Sequence, residues 1–280
     1  MAVRQFYPEK NIGDMMNNVF GISIVCLFSV FIGGCANKSE GKPYKGAEVY
    51  SLSQNDIKYG KIEVRMMAAK GSGIINALFT WKEGSQNSDV FWEEVDVEVF
   101  GKNNATTWQS NVISGYDPRS HSEQVHQQDE SLGDGFHTYS IEWTPESISW
   151  YFDGQHVRTI TGTRVTDINS PAGIRFNIWP STIPTWAGSW DDIVLPQSLF
   201  VNWVKYYNYE DSEFILNWTD EFDGFDGSRW GKADWSFDSN RADFEPRNVV
   251  VQDGMLILSL TKSEETGFSG IVPQDPVGKK

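Results

Sequence analysis

Short runs of alternating apolar and polar residues, separated by turn-forming residues, make up most of the chain after residue 45. An alternation with a period of two is typical of half-buried β-strands. No stretch of ten or more residues has the spacing of an amphipathic helix, and no internal repeat is evident. The pattern therefore predicts an all-β fold with one domain over residues 46–275, followed by a short tail at 276–280.

Two stretches carry the clearest hairpin signals. Residues 136–143 and 148–152 are strand-like runs separated by a Pro-containing turn at 144–147, and Asp153-Gly154 follows the second run. Residues 249–260 form another such stretch, with Asp253-Gly254 at its centre. Pro and Asp-Gly favour tight turns, so both stretches are predicted to be β-hairpins.

Residues 94–98 combine acidic and apolar residues in strict alternation. In an extended strand, Glu94, Asp96 and Glu98 would share one face. The opposite face would be apolar and would hold Val95, Val97 and Val99. Three carboxylates in a row repel one another, whereas lysines or mixed charges would solvate an exposed face with less repulsion. The strand is therefore predicted to be catalytic, and an exposed acidic strand or an ion site is the alternative.

The spacing of the two glutamates suits a particular chemistry. The Cα atoms of Glu94 and Glu98 would lie about 13 Å apart at about 3.3 Å per residue. Side chains that lean toward each other could bring the carboxyl groups to the roughly 5–5.5 Å separation that retaining glycosidases use.

Two more strands place polar and aromatic side chains on a single face. In residues 175–179 the alternation groups Arg175, Asn177 and Trp179, while Phe176 and Ile178 point to the core. Gln109 and Asn111 share one face of the run at 108–111. Guanidinium and amide groups can donate to sugar hydroxyls, and an indole can cover a sugar ring. Each set taken alone could be ordinary polar surface.

Composition narrows the classes of partner. The 280 residues include 38 acidic and 23 basic residues, for a net charge of −15, which opposes binding to nucleic acids and to anionic lipids. The 12 tryptophans offer flat faces of the kind that sugar-binding proteins display, although about half are expected in the core. His121 and His126 lie in a Gln-rich polar stretch without a zinc-binding spacing, so we expect both to be solvated.

The N-terminus is predicted to be a targeting segment. Residues 19–32 are apolar but short for a membrane span, and Ile32-Gly33-Gly34-Cys35 resembles a bacterial lipoprotein signal with Cys35 as the acylated residue. An ordinary signal peptide is the alternative, and translation could start at Met15 or Met16. We expect residues 1–35 to direct secretion or attachment to the cell surface, with 36–45 as a polar tether. Both cysteines, Cys26 and Cys35, lie in this segment, so the folded part is expected to contain no disulfide.

The strand at 92–101 carries the E-x-D-x-E signature and resembles glycoside hydrolase family 16, in particular its lichenases, the endo-1,3-1,4-β-glucanases. Segments 136–139, 141–145, 175–179 and 202–205 are also similar to that family. The segments at 218–223, 229–230 and 253–256 usually open such a domain, but here they follow the strand at 201–207 that usually closes it. The order is similar to that of a circularly permuted rumen-bacterial type of lichenase, and joined termini are physically tolerable because domain ends often lie close together.

The resemblance implies a fold and a set of residue roles. The fold would be a concanavalin-A-like jelly-roll β-sandwich, circularly permuted, with an open cleft on its concave sheet. Glu94 would be the nucleophile, Glu98 the general acid/base, and Asp96 the carboxylate that supports Glu94. The residues that would line the substrate cleft are Glu48, Phe79, Trp81, Gln109, Asn111, Arg175, Asn177, Trp179, Trp186 and Trp235. Catalysis would need no cofactor, and a structural Ca²⁺ would be held by Asn202 and by the backbone carbonyls of Glu221 and Gly254.

The expected function is endo-hydrolysis of mixed-linkage 1,3-1,4-β-D-glucan with retention of configuration. A laminarinase or a xyloglucan-active enzyme is the alternative within the fold, and a sugar-binding lectin is the alternative without catalysis. Other expected properties are a monomeric state, no nucleic-acid partner, and membrane association only through a lipid anchor at Cys35.

Overall fold

The computed structural model describes residues 41–277, and in this range it contains seventeen β-strands and three four-residue helices. The strands in the first half are β1 (Tyr44–Ser51), β2 (Gly60–Met67), β3 (Ile74–Trp81), β4 (Trp92–Phe100), β5 (Thr107–Gly115), β6 (Ser120–His121), β7 (Gln124–Gln127) and β8 (His137–Trp143). Those in the second half are β9 (Ser147–Phe152), β10 (Gln155–Thr161), β11 (Gly173–Pro180), β12 (Gln197–Glu210), β13 (Glu213–Asp220), β14 (Trp230–Lys232), β15 (Ala242–Phe244), β16 (Val249–Gln252) and β17 (Met255–Lys262). The helices are α1 (Lys102–Ala105), α2 (Thr163–Thr166) and α3 (Pro184–Ala187), and 3₁₀ turns occur at Ser53–Asn55, Asp192–Val194 and Pro246–Asn248.

Most of the strands pair into two antiparallel layers, and the short strand β15 pairs in parallel with β1. In the first layer, called the cleft sheet here, the order is β14-β1-β11-β3-β4-β5, and both β6 and β7 pair with the far edge of β5. In the second layer, called the back sheet, the order is β16-β17-β12-β2-β8-β9-β10. The long strand β12 pairs with β17 through its first half and with β13 through its second half.

The main hydrophobic core lies between the two sheets. Val95, Val97 and Val99 of β4 and Phe176 and Ile178 of β11 belong to this core, as the alternation of residue types predicted. The back sheet supplies Val64, Ile141 and Leu258 to the same cluster. Because successive side chains of a strand point to opposite faces, the polar residues of β4 and β11 lie on the outer face of the cleft sheet.

The predicted all-β class and both predicted hairpins are confirmed. Strands β8, β9 and β10 follow one another through tight turns, and β16 and β17 pair across Asp253-Gly254. Asp253 and Gly254 have φ angles of 52° and 70°, the left-handed conformation that Asp-Gly readily adopts in two-residue hairpin loops.

Several predictions fall beyond what the structure tests. The targeting segment with Cys26 and Cys35, and most of the tether, lie outside the described residues. The domain bounds 46–275 and the circular permutation stay predictions. In residues 41–277, no helix is long and apolar enough to cross a membrane.

The segment that follows β17 packs against the back sheet. Phe268 meets Phe200 edge to face, and Val272 is buried with Phe136 and Ile257 in a small separate hydrophobic cluster. Beyond it, Asp275 accepts two hydrogen bonds from the Arg65 guanidinium, at 2.5 and 2.8 Å, and one from the Asn202 amide at 2.8 Å. The side chains of Arg65 and Asp275 are 9% and 2% exposed, so this ion pair is shielded from water.

We expect Asp275→Asn to lower the free energy of unfolding by about 2–4 kcal/mol, because it leaves the Arg65 charge buried without its counter-ion. Arg65 and Asn202 hold the pKa of Asp275 below its usual value, so the stabilisation is present above about pH 4 and is lost as the pH falls through the lowered pKa. Urea unfolding of both proteins at neutral and acidic pH measures the difference, with the exposed Asp129→Asn as control. Equal stability of Asp275→Asn and the unmodified protein at neutral pH would contradict a stabilising role for this ion pair.

Candidate active site

Glu94, Asp96 and Glu98 project from the outer face of β4, near the middle of the cleft sheet. Their neighbours on β3 are Trp81, Phe79 and Ala77, which pair opposite them in that order. Their neighbours on β5 are Ile113, Asn111 and Gln109. The three acids therefore lie between an apolar strand and a largely polar one. Glu94 and Asp96 are 8% and 2% exposed, so two of the acids are almost fully removed from water.

Glu94 is held from two sides. The indole nitrogen of Trp92 donates a hydrogen bond of 2.6 Å to its Oε2, and Asp96 hydrogen-bonds to the same carboxyl group. Burial raises the pKa of Glu94 to about 7, and these two hydrogen bonds together with the positive charges of Arg175 and Arg119 limit the rise.

The hydrogen bond between Asp96 and Glu94 lowers the pKa of Glu94 but raises that of Asp96. Burial, followed by the negative charges of Glu94 and Glu98, raises the pKa of Asp96 well above its ordinary value. The hydrogen bond to Glu94 raises it further, because Asp96 must be protonated to donate. A protonated Asp96 can therefore donate a hydrogen bond to Glu94, which stabilises the ionised form of Glu94.

Glu98 is the second acid with a strongly shifted pKa. Burial and the nearby charges of Glu94 and Glu123 raise its pKa to about 8, while a 3.0 Å hydrogen bond from the Gln109 amide opposes the rise. Glu98 therefore keeps its proton at a pH where Glu94 has begun to lose its own. One strand face thus offers an ionised carboxylate and a neutral carboxylic acid, as general acid chemistry and nucleophilic attack together require.

A cleft of about 970 Å³ opens over these acids. Glu94 and Glu98 line it, and four of the ten predicted substrate-binding residues line it with them: Gln109, Asn111, Trp179 and Trp186. The indole of Trp186, on α3, packs against Phe100 and Trp179 and donates to the Gln109 carbonyl oxygen at 3.4 Å.

The other six predicted substrate-binding residues lie on the same outer face, on the side of β4 toward β1. Glu48 is 1% exposed and accepts hydrogen bonds from Arg175 at 2.9 Å and from Asn177 at 3.0 Å. The Arg175 guanidinium lies 5.2 Å from the ring of Trp81 and 5.7 Å from that of Trp235. Phe79 is buried in one hydrophobic cluster with Trp81, and Trp235 packs against that cluster. Glu48, Arg175 and Asn177 thus form a hydrogen-bonded polar group beside the acids, flanked by the aromatic rings of Phe79, Trp81 and Trp235.

Several residues of the site escaped the sequence-based prediction. Trp92 is two positions before Glu94, so strand alternation alone places it on the catalytic face. No periodic signal marks Arg119, Glu123, Asp238 and Ser239, which line the cleft from loops.

The prediction that His126 is solvated is wrong. His126 lies in β7, is 8% exposed, stacks on Trp108 with ring centroids 4.3 Å apart, and its Nε2 lies 2.9 Å from the Ser110 hydroxyl. Burial, with the charge of Arg158, lowers the pKa of His126 to about 4, so this imidazole is neutral at neutral pH. The short strand turns His126 inward while its polar neighbours stay exposed. His121 is exposed, as predicted.

The predicted calcium ligands are only partly positioned by the structure. Asn202 lies at an irregularity of β12, next to Val201, which pairs with Leu256 just after the Gly254 turn. Its amide nitrogen donates to Asp275. Amide and carbonyl oxygens are suitable calcium donors, and no cluster of three or more His, Cys, Asp or Glu side chains in residues 41–277 could hold a metal ion. The site through Asn202, Glu221 and Gly254 stays a prediction.

Comparison with known proteins gives a consistent set of relatives. A family model described as "Glycosyl hydrolases family 16" matches residues 36–204. The chain is 44% identical over 242 residues to a beta-glucanase of Fibrobacter succinogenes, covering 84% of this chain and 68% of that protein. It is 36% identical over 169 residues to a beta-glucanase of Acetivibrio thermocellus, of which it spans 46%. Among solved structures, the Bacillus licheniformis beta-glucanase is 28% identical with a TM-score of 0.48, over 57% of this chain and 78% of that one.

We expect Glu98→Gln to be more stable than the unmodified protein at alkaline pH, by about 1–3 kcal/mol. The pKa of Glu98 is raised to about 8 in the folded chain, against about 4.3 when unfolded. Its contribution to stability is therefore complete below about pH 4 and is lost as the pH rises through 8, whereas a glutamine has no such loss. Urea unfolding at about pH 5 and about pH 8.5 tests this, with the exposed Glu213→Gln as control. A gain of the same size at both pH values would rule out the titration of Glu98 as its cause.

Proposed function

The chain belongs to family 16 of the glycosyl hydrolases, and on this premise we propose that it is an endo-acting, retaining β-glucanase that cleaves mixed-linkage 1,3-1,4-β-D-glucan. Membership of this family means that the chain is a glycoside hydrolase. The observation that carries the proposed mechanism is the pair of glutamates on one face of β4, of which Glu94 is buried and Glu98 partly exposed, with pKa values raised to about 7 and about 8.

The first step of the proposed reaction forms a covalent bond to the enzyme. The ionised Glu94 attacks the anomeric carbon, while Glu98 gives its proton to the departing glycosidic oxygen. Trp92 and the protonated Asp96 both hydrogen-bond to the Glu94 carboxyl group, which keeps the attacking carboxylate in one orientation. The products of this step are a shortened glucan and an α-linked glycosyl-enzyme.

The second step releases the sugar. Glu98, now ionised, takes a proton from a water molecule, and the resulting hydroxide attacks the anomeric carbon from the face that the leaving group vacated. Glu94 departs as a carboxylate. Two inversions at one carbon give net retention, and no cofactor takes part.

The substrate assignment rests on the shape and chemistry of the cleft. It is open, so an internal stretch of a polysaccharide could lie across β4. Amide groups of Gln109 and Asn111 can bond sugar hydroxyls, and the indoles of Trp179 and Trp186 offer flat apolar surface to sugar rings. The beta-glucanase relatives support a β-glucan as the substrate class.

Linkage specificity separates this proposal from its alternatives. A laminarinase would prefer 1,3-linked glucan, and a xyloglucan-active enzyme would accept a branched 1,4-linked chain. The uninterrupted E-x-D-x-E spacing of β4 favours the mixed-linkage assignment over the first of these. Reducing ends released from barley β-glucan, laminarin and xyloglucan, measured in parallel, decide among the three, and release from none would leave a lectin.

The roles of the two glutamates can be separated by the stereochemistry of azide products. With an activated aryl β-glycoside, whose leaving group needs no proton, Glu98→Ala should still form the glycosyl-enzyme, and azide should then give a β-glycosyl azide. Glu94→Ala should hydrolyse no substrate, and azide should attack the substrate directly to give the α-anomer. NMR of the anomeric proton distinguishes the products. The opposite pattern would exchange the two roles, and inverted product from the unmodified enzyme would exclude the retaining mechanism.

We expect Trp186→Ala to lower kcat/KM on barley β-glucan about fivefold or more, since stacking of one sugar ring on an indole contributes on the order of 1 kcal/mol. Trp186→Phe should retain most of the activity. Hydrolysis of a small aryl glycoside, measured in parallel, tests whether loss of the hydrogen bond from Trp186 to the side-chain oxygen of Gln109 also lowers activity. Tyr209→Ala, in the back sheet, is the matched control, and an unchanged kcat/KM for Trp186→Ala would remove Trp186 from the substrate site.

A further inference from the structure

Arg119 lies over the catalytic strand without a role in the reaction as described so far. It immediately precedes β6, is half-buried, and lines the cleft. Its guanidinium carbon is 3.7 Å from the centre of the Trp92 ring, which places the planar cation directly on the indole face. The negative face of an indole attracts a cation in this position, and the attraction is stronger when the contact is shielded from water.

The indole of Trp92 has two close side-chain contacts. Trp81 meets it edge to face with ring centroids 4.7 Å apart, and Arg119 covers it from the cleft. Trp92 is 2% exposed. An indole held this way cannot rotate without losing one of the two contacts, so the direction of its N–H is determined by the packing.

That N–H is the group that donates to Glu94, at 2.6 Å from Oε2. A chain of contacts therefore runs from the Arg119 guanidinium through the Trp92 ring to the proposed nucleophile. Arg119 does not hydrogen-bond to Glu94 in the structure, so it acts on that carboxyl group through the indole and through its charge.

The charged groups around Glu94 show what the Arg119 charge does there. Those that face Glu94 are Asp96 and Glu98 from its own strand, Arg175 from β11, and Arg119. Arg119 also faces Asp117, and His121 contacts Glu123, whose charge acts on Asp96 and Glu98. Arg175 is already paired with Glu48. In the described part of the chain, no buried carboxylate lies within hydrogen-bonding distance of the Arg119 guanidinium. Its positive charge therefore acts on Glu94 without being neutralised by an ion pair.

We propose that Arg119 is a positioning residue for the nucleophile: it clamps the Trp92 indole so that its N–H stays on Glu94, and it places positive charge beside that carboxylate. The inference rests on the proposed role of Glu94 as the nucleophile. It assigns to a loop residue outside the E-x-D-x-E strand a part in the first chemical step.

Two substitutions separate the charge from the stacking. Arg119→Met keeps the length but removes both, whereas Arg119→Lys keeps the charge and loses the flat surface. We expect Arg119→Met to lower kcat/KM on an activated aryl β-glycoside about tenfold and to move the acid limb of its pH profile upward. The sign follows because loss of a cation raises the pKa of the carboxylate that must be ionised. Arg119→Lys should return the acid limb toward its original position while kcat/KM stays reduced.

A double-mutant cycle with Trp92→Phe tests whether Arg119 acts through the indole. Trp92→Phe keeps an aromatic ring but removes the donor to Glu94. If the contact chain operates, Arg119→Met should reduce the inactivation rate by a 2-deoxy-2-fluoro β-glycoside, which reports nucleophile reactivity, by a smaller factor in the Trp92→Phe background than in the unmodified protein. Equal factors in both backgrounds would overturn the clamp.

The matched control is Arg229→Met. The Arg229 guanidinium lies 4.0 Å from the ring of Trp218, a similar cation–aromatic contact that involves no catalytic group. The pH profile of Arg229→Met should match that of the unmodified protein. If Arg119→Met gives that unchanged profile as well, with an unchanged inactivation rate, the inference fails. The two proposals fail separately, because full activity of Glu94→Ala would overturn the nucleophile assignment whatever Arg119 does.

Discussion

The placement of three carboxyl groups, two of them buried, on one face of β4 is the constraint to which the surrounding structure responds. Each buried carboxylate loses solvation, and each negative charge penalises the next, so the three cannot all be ionised near neutral pH. The pKa of Asp96, the least exposed of the three, is raised well above its ordinary value, and a protonated Asp96 donates a hydrogen bond to Glu94 instead of repelling it. Trp92 and Gln109 then supply donors to the two outer acids. Different partners on one strand thus give chemically similar groups different proton affinities.

The rigidity that this arrangement needs comes from the other side of the strand. Val95, Val97 and Val99 are fully enclosed between the sheets, so β4 cannot shift by one residue without moving three valines to the outer face and three acids into the core. The indole of Trp150, on β9 of the back sheet, also crosses the core and donates to the backbone oxygen of Asp96 at 3.0 Å. The register of the acids is therefore determined by apolar packing and by one hydrogen bond between the sheets.

What the sequence could reveal follows from the periodicity of a strand. Period-two alternation predicted the shared face of Glu94, Asp96 and Glu98 and the core face of β11, and the turn residues predicted both hairpins. The same alternation could also have placed Trp92 on the face of the three acids. It could not give Arg119, because a loop has no period and the contact with Trp92 depends on how β5 and β6 return across the sheet. His126 was misjudged for a related reason: in a four-residue edge strand, one inward residue among exposed glutamines looks like any polar loop.

The charged residues around β4 differ between its two ends, and this difference affects the pKa values of Glu94 and Glu98. The proposed reaction needs Glu94 ionised and Glu98 protonated at the same time, and pKa values of about 7 and about 8 leave only a narrow range of pH in which that state dominates. Any charge that lowers the first value or raises the second widens the range. Arg119 is a cation near Glu94, and Glu123 is an acid whose charge acts on Glu98. The segment between β5 and β7 carries both residues, so it places a positive charge near Glu94 and a negative charge near Glu98. Changes in that segment can tune the working pH of the proposed site while β4 itself stays the same.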